Sequence, residues 1–493
     1  MEEPGLKLKV ARTIKWNVID KVASQVLYAV TGIVLARVLS KEDFGLVGAM
    51  LVFQAFGSLF VDSGFSFALI QRKEPSRLDY STVLWFNMAM ATLIYVILFF
   101  CAPGIAWLFD GDERLIPLSR VMFLSFIVNA SAIVQTNLLM KKMEVKMIAV
   151  SNSVGLIASA VVGITLALTG WGAWAIVWQT LTLGAIKSIV LWGNSSWRPL
   201  GRFSWRSLKS FFAVGSGMMG NSFLNTVFQN IYAFFIGHSV GLVPLGYYSQ
   251  ADKWSKMGIA SLSQVMTSSF LPVLSKFQDD KTEFKRVTTK MNRFTGYITL
   301  PAMGLLIMLA LPIFHTLFGT KWDAAVPLFQ ILLLRGVFTI FQSLYNNYIL
   351  SLGKAKMLVW TELLRDGVAT VALLLTLPYI ALTTPSDPVY GLAILLWGQL
   401  VASVFSWGAT LWLTARLSGH SVGEYLVHVA PYVAETLLAM LPMYFINALP
   451  LPPLALCFLS GAAGLAVYLG LNALLRSTVQ ADALAYLLGR FRR

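Results

Sequence analysis

The sequence predicts an all-α polytopic membrane protein. About fourteen transmembrane helices form two six-helix lobes in parallel repeat, with two additional helices at the C-terminus and both termini in the cytoplasm. Three observations predict this. Apolar stretches of about 20 residues, the length needed to cross hydrocarbon, recur along the whole chain. Basic residues collect in alternate loops. The second half repeats polar positions of the first at constant offsets.

Composition sets the frame. Of the 493 residues 57% are hydrophobic and only 12% charged, and the mean hydropathy is +0.70. No water-soluble domain could bury so many long apolar helices. The net charge of +15 would suit nucleic acid, but the basic residues lie in short loops between spans, where they orient a membrane protein. No nucleic-acid partner is expected. Cys101 and Cys457 sit in apolar stretches without a spacing motif and read as inert. His238, His315, His420 and His428 lack metal-site spacing, and there is no Walker phosphate loop. Neither metal, cofactor nor ATP hydrolysis is expected. The opening "MEEPGLKLKVARTIKW" runs into a span without a cleavable signal.

In chain order, spans at 15–38, 44–67, 81–106, 115–139, 146–168 and 172–192 build an N-terminal lobe over 1–192. Residues 193–210 are a cytoplasmic linker, and "RFSWRSLKSFF" (202–212) mixes basic and aromatic residues in a way that suits the membrane surface. Spans at 211–236, 248–273, 293–317, 326–350, 357–379 and 389–412 build a C-terminal lobe over 211–412. The stretch "KFQDDKTEFKRVTTKMNRF" (276–294) reads as a charged helical arm. Spans at 425–447 and 452–474 and a short basic tail complete 413–493.

One set of loops carries Lys7, Lys9, Arg12, Arg72, Lys73, Arg77, Lys141, Lys142, Arg202, Arg206, Lys285, Arg286, Lys354 and Lys356. The alternate set is poor in bases: Arg37 with Lys41, Arg114 beside Asp110, Asp112 and Glu113, and Lys321 beside Asp323. The positive-inside rule puts the basic loops and both termini in the cytoplasm.

The repeat is visible in polar letters. Residues 116–147 match 326–357 at one offset, pairing Pro117 with Pro327, Asn137 with Asn347 and Lys146 with Lys356. The first span matches the seventh: Asn17 with Asn221, Gln25 with Gln229, Tyr28 with Tyr232. Just after, "EDFGLVGAM" resembles "VPLGYYSQA", pairing Gly45 with Gly246. Matched spans start on the same side, so the axis runs along the membrane normal.

Polar residues fall in stripes. Asn17, Asp20, Lys21, Ser24, Gln25 and Tyr28 share one helical face, as do Asn221, Asn225, Gln229 and Tyr232. Faces lining a wet cavity are the functional reading, and helix–helix hydrogen bonding is the competing one. Intramembrane cations are costly and pair or face water. Lys21, Arg120, Lys253, Arg335 and Arg365 are the candidates. For Arg365 the alternative is a local ion pair with Glu362; for Arg120, snorkelling at a span end; for Arg335, an acid on a neighbouring helix. Cations left unpaired in a cavity would concentrate an anionic substrate, and arginine's fork of donors suits phosphate oxygens. Arg335 shares its span with Gln342, Tyr345, Asn346 and Asn347, which are expected to face the space between the lobes, with Asn346 among the binding residues. Asp62 and Glu435 are candidate coupling acids, with a structural role as the alternative.

Residues 34–73, "VLARVLSKEDFGLVGAMLVFQAFGSLFVDSGFSFALIQRK", with "LLMKKMEVKMIA" (138–149) and "PLGYYSQADKW" (244–254), resemble the polysaccharide exporters of the multidrug/oligosaccharidyl-lipid/polysaccharide flippase superfamily. The likeness is greatest to Wzx-type lipopolysaccharide, colanic-acid and teichuronic-acid exporters. It implies a flippase of the bacterial cytoplasmic membrane, not an enzyme. The implied cargo is an undecaprenyl-diphosphate-linked oligosaccharide. Two lobes would rock around a cationic cavity holding the diphosphate and sugar, with the prenyl tail left in lipid. Membrane lipid and the polysaccharide polymerase and export machinery are the implied partners. A lipid-linked peptidoglycan-precursor flippase and a multidrug or cation antiporter of the same superfamily are the alternatives.

Overall fold

The computed structural model describes residues 4–62, 65–278, 280–383 and 387–491; within them, the side chains of 4–12, 14, 62, 67, 213–219, 221, 265–269, 271–272, 355, 381–383, 388 and 485–491 lie outside the description. Every described element is a helix. The chain divides by its own contacts into two compact units, Met1–Gly246 and Tyr247–Arg493.

The first unit contains α1 (Pro4–Val38), α2 (Lys41–Asp62), α3 (Phe65–Gln71), α4 (Arg77–Leu108), α5 (Leu115–Met122), α6 (Ser125–Lys141), α7 (Val145–Leu168), α8 (Trp174–Gly193) and α9 (Trp205–Ser239). Local chemistry sets several starts. Ser40 and Asp43 cap α2 reciprocally, and Ser76 and Asp79 form a capping box on α4. Ser204 caps α9, so residues 205–212 are its first turns and not a separate surface helix. The helices α1 and α8 pack on α7, α4 and α8 on α6, and α9 on α2. A core of Phe65, Leu69, Tyr80, Val83, Val134 and Phe211 ties α3, α4, α6 and α9 together.

The helix α10 (Leu242–Leu274) opens in the last residues of the first unit. The second unit continues with α11 (Lys281–Met308), α12 (Ala310–Leu317), a 3-10 turn (Thr320–Trp322), α13 (Ala325–Ser351), α14 (Ala355–Thr383), α15 (Pro388–Ser418), α16 (Val422–Asn447), α17 (Pro453–Leu474) and α18 (Thr478–Phe491). The charged arm of 276–294 is mostly the start of α11, which runs on into apolar sequence. The helix α13 packs on α11 and α15, and α16 packs on α11 and α17. The last two long helices thus belong to the body of this unit.

Among the described residues, eleven helices are long and apolar enough to cross a membrane, or up to twelve if one bent pair is a single span. That pair is α11 with α12, bent by 61°. Pro312 lies in the first turn of α12, where its missing N–H interrupts the ladder. The sequence predicted about fourteen. The other two predicted spans fall on α9 and α10, whose residues 213–219, 221, 265–269 and 271–272 have side chains outside the description. The chain is an all-α, multi-pass membrane protein.

Candidate functional site

The helix α13 presents the most informative chemistry in the second unit. Its polar residues divide into two groups. Gln342 Nε2 donates to Thr410 Oγ1 on α15 (3.4 Å), Tyr345 Oη to Asn292 Oδ1 on α11 (3.2 Å), and Tyr348 Oη to the Thr288 carbonyl (3.2 Å). These side chains lock α13 to its neighbours, which corrects the expectation that Gln342 and Tyr345 face a space between lobes. Membrane-embedded hydroxyl and amide groups need such partners because hydrocarbon offers none. Arg335 and Asn346 form the second group. Arg335 Nε and Asn346 Oδ1 are buried without a hydrogen-bond partner, and Arg335 has no ion pair among the described residues. Asn347 is buried.

The same helix walls a cavity of about 600 Å³. Leu334, Phe338 and Phe341 of α13 face Met303 of α11 and Val433 and Met440 of α16 across it. Trp407, Tyr345 and Tyr425 also contribute to the wall. Val433 and Leu437 stay exposed beside it. Gly304 makes room for α16 to approach: a Cβ there would lie 2.6 Å from Thr436 Cγ2. An apolar cavity of this size can take a hydrocarbon chain but offers nothing to a sugar.

The other predicted residues are dispersed. Arg120 lays its guanidinium over the Phe99 ring, 4.3 Å from the centroid, and its Nε donates to the Phe99 carbonyl (3.3 Å). Arg365 pairs with Asp366 (2.9 Å) and not with Glu362. Lys253 is exposed, with its ammonium 5.4 Å from the Trp254 ring centre, while the adjacent Asp252 pairs with Lys256 (2.6 Å). Asn17 and Lys21 are exposed and Gln25 is half-buried on α1. From the same stripe, Asp20 accepts from Asn152 Nδ2 on α7 (3.2 Å). On α9, Gln229 donates to Asn225 (3.0 Å), and both are exposed. The side chains of Asn221 and Asp62 lie outside the described residues. Glu435 is only 4% exposed and accepts from Asn472 Nδ2 (2.6 Å), binding α16 to α17.

Outside the spans, Arg114 grips Asp112 with its guanidinium (2.6 Å) and holds that carboxyl below the usual range. His420, between α15 and α16, is buried against Thr289 and Ser418, and burial lowers its pKa from 6.5 to about 4, with Lys285 adding to the effect.

Sequence reasoning missed Lys187. It lies on α8 and lines a second cavity of about 450 Å³ in the first unit. The signal was one lysine in the otherwise apolar "LTLGAIKSIVLW".

A profile of the family described as polysaccharide biosynthesis proteins matches residues 34–327. The chain is similar to the succinoglycan biosynthesis transport protein of Rhizobium meliloti, with 27% identity over 74% of this chain and 73% of the relative. It is similar to the lipopolysaccharide biosynthesis protein of Escherichia coli, with 26% identity over 68% of each. Similarity to the teichuronic acid biosynthesis protein of Bacillus subtilis is 24% over 71% of this chain and 73% of the relative. Among solved structures, a lipid II flippase in an inward-closed conformation shares the fold with a TM-score of 0.71, at 15% identity over 94% of this chain and 98% of that one. An inward-facing multidrug transporter of the MATE family shares it with a TM-score of 0.60, at 14% identity over 82% of this chain and 99% of that one.

Proposed function

The chain belongs to the family of polysaccharide biosynthesis proteins, and from that premise we propose that it is a carrier in the bacterial cytoplasmic membrane. It moves an undecaprenyl-diphosphate-linked oligosaccharide, the repeat unit of a surface polysaccharide, from the inner to the outer leaflet by alternating access. The observation that carries this reading is the chemistry of α13. An arginine with no ion pair among the described residues stands one residue from the wall of an apolar cavity. A diphosphate joined to a prenyl chain is an amphiphile with those two needs: donors for phosphate oxygens and a dry surface for hydrocarbon.

In this reading Arg335 binds the diphosphate, and the start of the prenyl chain occupies the cavity between α11, α13 and α16. Lys253, Arg120, Lys21 and Arg365 add to the positive field, with Arg365 tempered by its bond to Asp366. The amides Asn17, Gln25, Asn221, Asn225, Gln229 and Asn346 serve the sugars. The two lobes that rock are 1–192 and 211–412, joined by 193–210 and extended by 413–493. Asp62 and Glu435 are the acids through which an ion gradient would act.

The test is leaflet translocation of a labelled undecaprenyl-diphosphate oligosaccharide in sealed proteoliposomes, comparing wild type with Arg335→Ala. Transport by wild type and its loss in a folded variant support both the carrier and the cationic site. Equal transport by both removes Arg335 from the mechanism. Movement of lipid-linked peptidoglycan precursor alone, or of small cations alone, replaces the substrate.

A further inference from the structure

The cavity at Lys187 differs in chemistry from the apolar one. It lies among α2, α3, α6 and α8 within the first unit, and Ser58, Asn129, Thr136, Asn137 and Lys187 line it together with Phe126. Lys187 has no hydrogen bond or ion pair among the described residues. Asp20 acts on it only from a distance, and the oxygens of Asp20 are taken by Asn152. Asn137 is 5% exposed, and its Nδ2 has no partner among the described residues. A buried amide donor and an intramembrane ammonium therefore border the same space with no acceptor among the described residues. The position of Asn129 is also provided for. A Cβ at Gly184, one turn before Lys187, would lie 2.7 Å from Asn129 Oδ1, so only glycine leaves that amide its place. Ser58 and Asn129 are exposed, which gives the cavity an open side.

Among the described residues the wall supplies one positive charge, surrounded by amides and hydroxyls. We propose that this cavity is a second ligand site, selective for a hydroxylated monocarboxylate: an acidic sugar unit of the carried glycan. The ammonium of Lys187 takes the carboxylate, and Asn137, Asn129 and Thr136 take ring hydroxyls. One cation balances one carboxylate, and the amides and hydroxyls beside it suit ring hydroxyls. The volume of about 450 Å³ falls in the roughly 300–1,000 Å³ range of small-ligand pockets. The inference rests on the carrier reading for its biological role, but the site itself does not.

Two measurements separate the claims. The first is binding of glucuronate and of glucose to the purified full-length chain in detergent, read by saturation-transfer NMR. Saturable glucuronate binding, with glucose at least tenfold weaker, is expected. Lys187→Gln and Asn137→Asp should abolish it and Lys187→Arg retain it, each variant checked by its elution profile. If Lys187→Gln fails to fold, Asn137→Asp decides. Equal binding of both sugars, none, or binding indifferent to both variants overturns the site. The second is proteoliposome transport of two lipid-linked glycans differing only in a uronate or its neutral counterpart. Lys187→Gln should slow the acidic glycan about tenfold and leave the neutral one unchanged. Equal slowing of both makes Lys187 structural. If wild type moves neither glycan yet binds glucuronate, the carrier reading fails and the site stands.

Discussion

Gly45 and Gly246 meet backbone to backbone. A Cβ built on Gly45 would overlap the carbonyl of Leu242, and one on Gly246 would overlap that of Lys41 while lying 3.2 Å from the Gly45 amide nitrogen. The two glycines that correspond in the sequence repeat are each other's contact in the fold. Both follow the start of a helix, α2 and α10, and each removes the side chain that would hold the other helix off.

Alanine at either position should force these helix starts apart. Overpacking of this kind costs about 1–3 kcal/mol, so Gly45→Ala and Gly246→Ala should each melt several degrees lower in detergent. Because the first alanine already opens the contact, the double variant should lose less than the sum of the two. Additive losses would show that the glycines act on separate contacts.

Arg335 tests the charge on α13. Arg335→Gln should transport at about a tenth of the wild-type rate or less, and Arg335→Lys should fall between, since lysine keeps the charge but loses the fork of donors. Both should fold, because Arg335 makes no ion pair among the described residues whose loss would strand a buried partner. Equal rates for Gln and Lys would show that charge is not what the position supplies.

Val433→Trp tests the apolar cavity. Val433 lines it from α16 and is 40% exposed, so the larger ring can enter the cavity without rebuilding the core. Transport of a long-prenyl substrate should fall several-fold. A short-chain analogue with the same diphosphate and sugar should move as in wild type. Equal loss for both would mean that the cavity does not hold the chain.

The helices were legible because hydrocarbon demands long apolar segments, and composition alone reveals these. Arg335 was legible because an arginine inside such a segment needs a reason. The pairings were not. Tyr345 belongs to the polar run of α13, but its acceptor, Asn292, lies on α11, and only the packed unit brings them together. Helical spacing favoured Glu362 for Arg365, whereas the rotamer takes it to adjacent Asp366. Lys187 escaped notice because it has no polar stripe on its own helix; its companions Asn129 and Asn137 come from α6. A cavity assembled from four helices leaves no periodic trace in any one of them.

His420 predicts a dependence on pH. Its Nε2 faces Thr289 Oγ1 (3.2 Å), its Nδ1 faces Ser418 Oγ (3.1 Å), and its ring lies 4.6 Å from that of Tyr425. Burial disfavours the imidazolium, Lys285 and His428 repel it, and Glu424 only partly compensates, so the pKa falls to about 4. Below the ordinary value of 6.5, a locally unfolded 418–425 segment takes up a proton that the folded one refuses. Stability contributed by this site is therefore complete above about pH 6.5 and is lost progressively as pH falls towards 4. Thermal melts in detergent between pH 7.5 and 4.5 should show the midpoint dropping through that window. His420→Gln, which keeps hydrogen-bonding capacity and cannot titrate, should flatten the drop. A wild-type profile unchanged in the glutamine variant would assign the acid sensitivity to another group.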